Sequence, residues 1–133
     1  MELAVIGISH RTAGLALRER IAFRVEQACE ATDQLRARGV LKEAVILSTY
    51  NRTEVYRVAR ERSGDILQAM EMFVASYHRL APAEMGSAVY RHSDRDLVRH
   101  LYRVAAGLDS LLLGESEILG QVREAYRVAM DYG

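Results

Sequence analysis

The stretch Ser48-Thr49-Tyr50-Asn51-Arg52-Thr53-Glu54 gathers three hydroxyls, an amide, a guanidinium and a carboxylate directly after the apolar run Ala44–Leu47. Arginine offers a planar fork of N–H donors that fits a carboxylate, and neighbouring hydroxyls donate to the same oxygens. A strand that ends in such a cluster reads as the rim of an anion-binding site, with the aromatic Tyr50 unexplained in its middle. Two further clusters have a similar make-up. Ser9-His10-Arg11-Thr12 follows a Val/Ile-rich run, and Asp109, Ser110, Glu115, Ser116, Glu117 and Gln121 gather near the C-terminus, with His100 ahead of them.

Each of these residues also has a plainer reading. Arg52 equally pairs with Glu54 on a solvent-facing hairpin, where such pairs contribute little. His100 lies three residues after Leu97 and one before Leu101, at the edge of an apolar helical face, a common place for a boundary histidine. His10 and His92 fit turns, and Gly107 and Gly114 fit helix stops. No glycine-rich phosphate loop, zinc-ligand spacing or Ser-His-Asp order occurs in the sequence, so no metal site is expected.

The elements that must position these clusters follow from periodicity. Strands are predicted over 3–9, 43–49, 54–60 and 87–93, and helices over 15–23, 24–39, 64–80, 93–108 and 116–133. Pro82 is expected to end the third helix. Ser93 is the expected N-cap of the fourth, with Asp94 and Asp96 complementing its dipole. The order β-α-β-β-α-β, followed by C-terminal helices, predicts a ferredoxin-like α+β fold: a four-stranded antiparallel sheet with helices on one face.

Composition sets outer bounds. The 133 residues fit one domain, and a hydrophobic share of 50% is enough for a core. Eighteen basic and eighteen acidic residues cancel, so no global field recruits nucleic acid or an anionic membrane. The single Cys29 excludes an internal disulfide and suits a reducing compartment. The start lacks the pattern of a signal peptide, and no run approaches the ~20 apolar residues of a membrane span. A soluble, cytoplasmic domain is expected.

Taken together, "GISHRTA" with "LRERIAF", then "STYNRTEVY", then "HLYRVAAGLDSLLLGESEILGQVREAY" closely resemble the N-terminal catalytic domain of glutamyl-tRNA reductase. The resemblance runs in order along essentially the whole chain. It implies NADPH-dependent reduction of the glutamate on glutamyl-tRNA to glutamate-1-semialdehyde, the entry to tetrapyrrole (haem) biosynthesis. It implies a nucleophile at the position of Tyr50, His100 beside it, and a glutamyl group held by Thr49, Asn51, Arg52, Ser110, Glu115, Ser116, Glu117 and Gln121. Residues 1–114 then form the catalytic and substrate-recognition domain, and 115–133 open a long connecting helix. The NADPH-binding and dimerisation domains of the family are absent, so a fragment or a shortened paralogue is expected, as a monomer or weak dimer.

The departures bear on chemistry. The family uses a cysteine where this chain has Tyr50, and a phenol (reference pKa about 10) ionises far less readily than a thiol (about 8.5). The bulky ring is expected to fill the glutamyl pocket, and the chain alone to catalyse nothing. Glu117 stands where the family usually has Gln, and Gly14 where it commonly has Pro. Two readings remain: an enzyme domain silenced at Tyr50, or a non-catalytic module binding the glutamyl or tRNA end, haem or a pathway partner protein. For haem, His and Tyr are axial-ligand types.

Overall fold

The computed structural model describes residues 2–37, 43–59, 66–108 and 117–132. Four strands are present: β1 (Glu2–Ser9), β2 (Glu43–Ser48), β3 (Arg52–Ala59) and β4 (Tyr90–Ser93). Their order is β2-β3-β1-β4 with every neighbouring pair antiparallel, the arrangement of the expected βαββαβ sandwich. Successive residues of a strand point to opposite faces, so each strand feeds two layers. Ala4, Ile6 and Ile8 of β1, Ile46 of β2 and Val55 of β3 belong to the larger core.

Helices α1 (Leu15–Ile21), α2 (Val25–Ala37), α3 (Ile66–Tyr77) and the short α4 (Pro82–Met85) contribute to that core. Ile21, Leu35 and Met70 are among its most deeply buried side chains. The opposite face is covered as well. Val104 of α5 (Asp94–Ala105) and Ile118 and Ala125 of α6 (Glu117–Tyr132) pack with Leu47, Val45 and Tyr56 in a second, smaller core. Helices on one face describe the βαββαβ part alone; the C-terminal helices turn the sheet into the middle of three layers.

Local expectations shift in three places. Pro82 opens α4 at its first helical position, where its missing N–H costs nothing, and α3 has already stopped at Tyr77. The fourth strand shrinks to Tyr90–Ser93 because Gly86–Ala88 wind into a 3-10 turn. Ser93 has the extended backbone of an N-cap, but its side chain makes no capping bond. Instead Asp94, at a positive φ of 48°, accepts the Leu3 N–H on Oδ1 at 3.0 Å. That bond ties the start of α5 to the start of β1.

Candidate functional site

The β2–β3 hairpin is closed by its own side chains. The Thr49 N–H donates to the Arg52 carbonyl at 2.7 Å, and Thr49 Oγ1 accepts the N–H groups of Asn51 and Arg52, both at 3.2 Å. Tyr50 and Asn51 are left at the tip. The Asn51 carbonyl accepts the His10 N–H at 2.8 Å, which fastens the tip to the end of β1. The turn after β1 is itself held by hydroxyls: Thr12 Oγ1 accepts the Ser9 N–H, and Ser9 Oγ accepts that of Arg11. The "GISHRTA" cluster therefore shapes a turn that supports the hairpin.

One small cavity, about 80 Å3, lies against this tip, lined by Thr49, Tyr50, Asn51 and Arg52 from the hairpin and by Glu117, Ile118 and Gln121 from α6. The first turn of α6 thus meets the hairpin, and six of the predicted site residues converge. The Thr49 oxygen already accepts two N–H groups, so what remains to offer a ligand is its O–H. Tyr50 does not fill the pocket as expected: its ring is 69% exposed and stands at the mouth. Arg18 of α1 lies over that ring, 5.8 Å from its centroid, and donates from Nη1 to Asn51 Oδ1 at 3.4 Å. A larger groove of about 600 Å3 between α5, α6 and the sheet is lined chiefly by apolar side chains such as Leu97, Leu101 and Val122. Arg57 and Glu43 also line it.

Behind Arg52 sits a buried polar cluster. Arg52, Glu54 and Tyr56 alternate onto the face covered by α5 and α6. Glu54 is fully buried, and its carboxylate accepts the hydroxyls of Tyr90 at 2.6 Å and Tyr56 at 3.0 Å. His100 Nε2 makes a short contact with the same carboxylate, and Arg52 Nη1 lies 3.7 Å from it. Gly7 makes this possible. It pairs with Glu54 on one side and Tyr90 on the other, so the two side chains meet across β1 over a residue without a side chain. A Cβ there would fall 2.7 Å from the Tyr90 phenol and 2.9 Å from Glu54 Cγ. The rings of Tyr90, His92 and His100 stack beside the carboxylate, with His92 and His100 centroids 4.7 Å apart.

Electrostatics follow from this enclosure. Burial alone would push the Glu54 carboxyl up, but the His100 bond and charge, the Arg52 charge and the Tyr90 hydroxyl outweigh it and hold it below the ordinary range. Burial, followed by the charge of Glu54 and the bond to it, pushes the Tyr56 and Tyr90 phenols far up, so both remain neutral donors. The plain reading of Arg52 was half right: it does lie by Glu54, but in the interior and not in solvent.

Comparison with known proteins places this arrangement. The sequence profile of the glutamyl-tRNA(Glu) reductase N-terminal domain matches residues 6–133. This chain belongs to that family. The glutamyl-tRNA reductase of Marinobacter nauticus is 46% identical over 132 residues, covering 99% of this chain and 30% of that protein. The one from Pseudomonas aeruginosa is 47% identical over 133 residues, covering 100% and 31%. Glutamyl-tRNA reductase from Methanopyrus kandleri has the same fold, with a TM-score of 0.74 and 33% identity, covering 98% of this chain and 29% of that one. The chain spans about 30% of the length of the curated relatives it matches.

Within the family frame, Thr49, Tyr50, Asn51, Arg52, Glu117 and Gln121 share the cavity. Ser110, Glu115 and Ser116 lie outside the described residues. His100 does not line the cavity; it stands behind Arg52, on Glu54. Cys29 is half-buried on α2 and is not among the lining residues. Glu54, Tyr56, Tyr90, Gly7 and Arg18 were not anticipated as parts of the site. The available signal was the spacing i, i+2, i+4 of Arg52, Glu54 and Tyr56, with a glycine inside the neighbouring strand. Among the described residues no group of three His, Cys, Asp or Glu could hold a metal ion, and no helix is long and apolar enough to cross a membrane.

Proposed function

We propose that this chain is the glutamyl-recognition part of a glutamyl-tRNA reductase, serving NADPH-dependent reduction of glutamyl-tRNA to glutamate-1-semialdehyde in tetrapyrrole biosynthesis. The convergence of Arg52 and Thr49 with Glu117 and Gln121 on one cavity carries this reading. The Arg52 guanidinium takes the substrate's side-chain carboxylate, with the Thr49 O–H donating beside it. Glu117 supplies a carboxylate for the α-ammonium, and Gln121, one turn further along α6, donates to or accepts from the same end. Asn51, held by Arg18, closes the outer wall.

Recognition is separable from chemistry here. A phenol stands at the hairpin tip in place of a thiol, and an aryl ester is a different intermediate from a thioester. The chain therefore binds the glutamyl end and forms no covalent intermediate at Tyr50. NADPH supplies hydride where it is bound. A dinucleotide site opens a helix with a glycine-rich turn, whereas the turn after β1 is closed by Ser9 and Thr12 hydroxyls, and no such unit occurs among the described residues. The described residues do not fit that cofactor. His100 is not placed to take haem, since its Nε2 is engaged by Glu54 and its side chain is only 11% exposed.

Two measurements test the reading. By calorimetry or NMR, the chain should bind 3′-deoxy-3′-(L-glutamylamino)adenosine, an amide analogue of a glutamylated RNA end, and discriminate against its glutaminyl counterpart. Equal affinity for both sinks the assignment of Arg52. Tyr50→Cys, given 3′-O-glutamyl-adenosine, should gain a glutamyl group by intact mass: the thiolate attacks the ester carbon, a C–S bond forms, and the ribose oxygen leaves and takes a proton. The unmodified chain should gain none. An adduct on Tyr50 itself would overturn the separation of recognition from chemistry.

A further inference from the structure

Arg52 and His100 reach the site from different elements, β3 and α5, and both end on the Glu54 carboxylate. Of the two, Arg52 lines the cavity and His100 does not. A histidine so placed has no line of contact to a ligand in that cavity, yet it grips the group that faces the arginine. The contacts of Glu54 are also unequal. Two phenol hydroxyls hold it at 2.6 and 3.0 Å and His100 holds it closely, while a single nitrogen of Arg52 approaches no nearer than 3.7 Å. The carboxylate is thus clamped by its neighbours, and in the interior it faces the Arg52 guanidinium as a buried counter-charge.

We propose that Glu54 is the positioning residue of this site: clamped by Tyr56, Tyr90 and His100 across Gly7, it fixes the Arg52 guanidinium at the wall of the cavity, and His100 acts on recognition through it. The inference rests on the glutamyl reading above. Its physical basis is pre-organisation. An unanchored arginine loses rotamer freedom when it grips a ligand. A guanidinium already held by a buried counter-charge does not. The charged and titratable groups that face Glu54 are Arg52 and Tyr56 on β3, Tyr90 on β4 and His100 on α5, with the His92 ring against those of Tyr90 and His100. The carboxylate can accept from all its donors at once. An amide cannot, since it has one acceptor oxygen and turns an NH2 toward the rest.

Binding of the glutamylamino-adenosine probe tests this in the full chain. Glu54→Gln should weaken it about tenfold. Tyr90→Phe, which removes one clamp with little risk to the fold, should weaken it about threefold. Because both act through one carboxylate, the double variant should bind no worse than Glu54→Gln alone, a coupling that a merely structural role would not produce. Urea unfolding of each variant shows that the binding samples are folded. If Glu54→Gln does not fold, Tyr90→Phe decides: affinity within about 1.5-fold of the parent overturns the proposal. So does a Glu54→Gln chain that folds and binds within about twofold, or strictly additive losses in the double variant. An unmodified chain that does not bind the probe overturns the glutamyl reading, and this inference with it.

Discussion

Two residues separate the tip of the β2–β3 hairpin from its base, yet the two ends live in different physical regimes. Tyr50 is 69% exposed with the Arg18 guanidinium over its ring, whereas Arg52 is 2% exposed and Glu54 fully buried. A change at the tip alters what the loop can do chemically and leaves its surroundings nearly untouched. A change at the base disturbs β1, β4 and α5 together, because Glu54 bonds to or faces residues of each. On the proposed reading, a recognition site can persist around Tyr50 because the tip is structurally detachable and the base is not.

The sharpest way to break that contrast is at Glu54. Glu54→Leu leaves the Arg52 charge, the His100 ring and two phenol hydroxyls without their common acceptor in a buried place. Removing one partner of such a cluster costs about 3–5 kcal/mol, read from urea unfolding at neutral pH. A loss under about 1 kcal/mol would mean that the base of the hairpin is no more constrained than ordinary surface.

Gly7→Ala probes the same cluster from the strand beneath it. The new Cβ would meet both Tyr90 and Glu54 inside 3.0 Å, and both are already clamped to each other. Overpacking of this kind costs about 1–3 kcal/mol, and the variant should lose probe affinity as well as stability. Unchanged affinity in a destabilised Gly7→Ala chain would separate packing from recognition.

Acidification sharpens the comparison further. A carboxyl whose folded pKa lies below its unfolded one contributes stability that is complete above the unfolded value and is lost as pH falls through the folded value. Glu54 is such a group. Tyr56 and Tyr90 stay protonated throughout, because their phenols are pushed up, so they do not confuse the window. The part of the stability gap between the parent and Glu54→Gln that comes from the Glu54 carboxyl should therefore be complete above the ordinary carboxylate range. The gap should narrow below about pH 4. Urea midpoints taken from pH 7 down to pH 3 measure it, and a gap that widens on acidification would reverse the sign assigned to Glu54.

These predictions concern residues that local pattern did not mark. The four strands and their order were legible, since short Val/Ile-rich runs separated by amphipathic stretches allow few arrangements. Thr49, Tyr50, Asn51 and Arg52 stood out as a polar cluster at a strand end, and the structure brings them to one cavity with Glu117 and Gln121. The role of Glu54 was not legible, and the reason is long-range. With helices on one face of the sheet, the alternation Arg52, Glu54, Tyr56 falls on the open face and reads as solvated. Only the docking of α5 and α6 on that second face makes it interior, and no periodicity within β3 records what a helix forty residues later will cover. The same gap hid Gly7, whose missing side chain matters only once Glu54 and Tyr90 face each other across it.

The smallest expected effect lies at the tip, and it is the strictest test of the contrast. Tyr50→Ala removes a large ring, but one that is mostly in water, makes one cation–π contact of about 0.5–1 kcal/mol at such an exposed site, and closes no hydrogen bond of the turn. The turn itself is closed by Thr49 Oγ1 and backbone groups, which the substitution leaves in place. Stability should therefore change by no more than about 1 kcal/mol by urea unfolding. Probe affinity should hold, since Arg52 keeps its anchor and the mouth only widens. A loss of 2 kcal/mol or more would show that the tyrosine is part of the scaffold after all. The site could then not be treated as a recognition apparatus with an exchangeable residue at its edge.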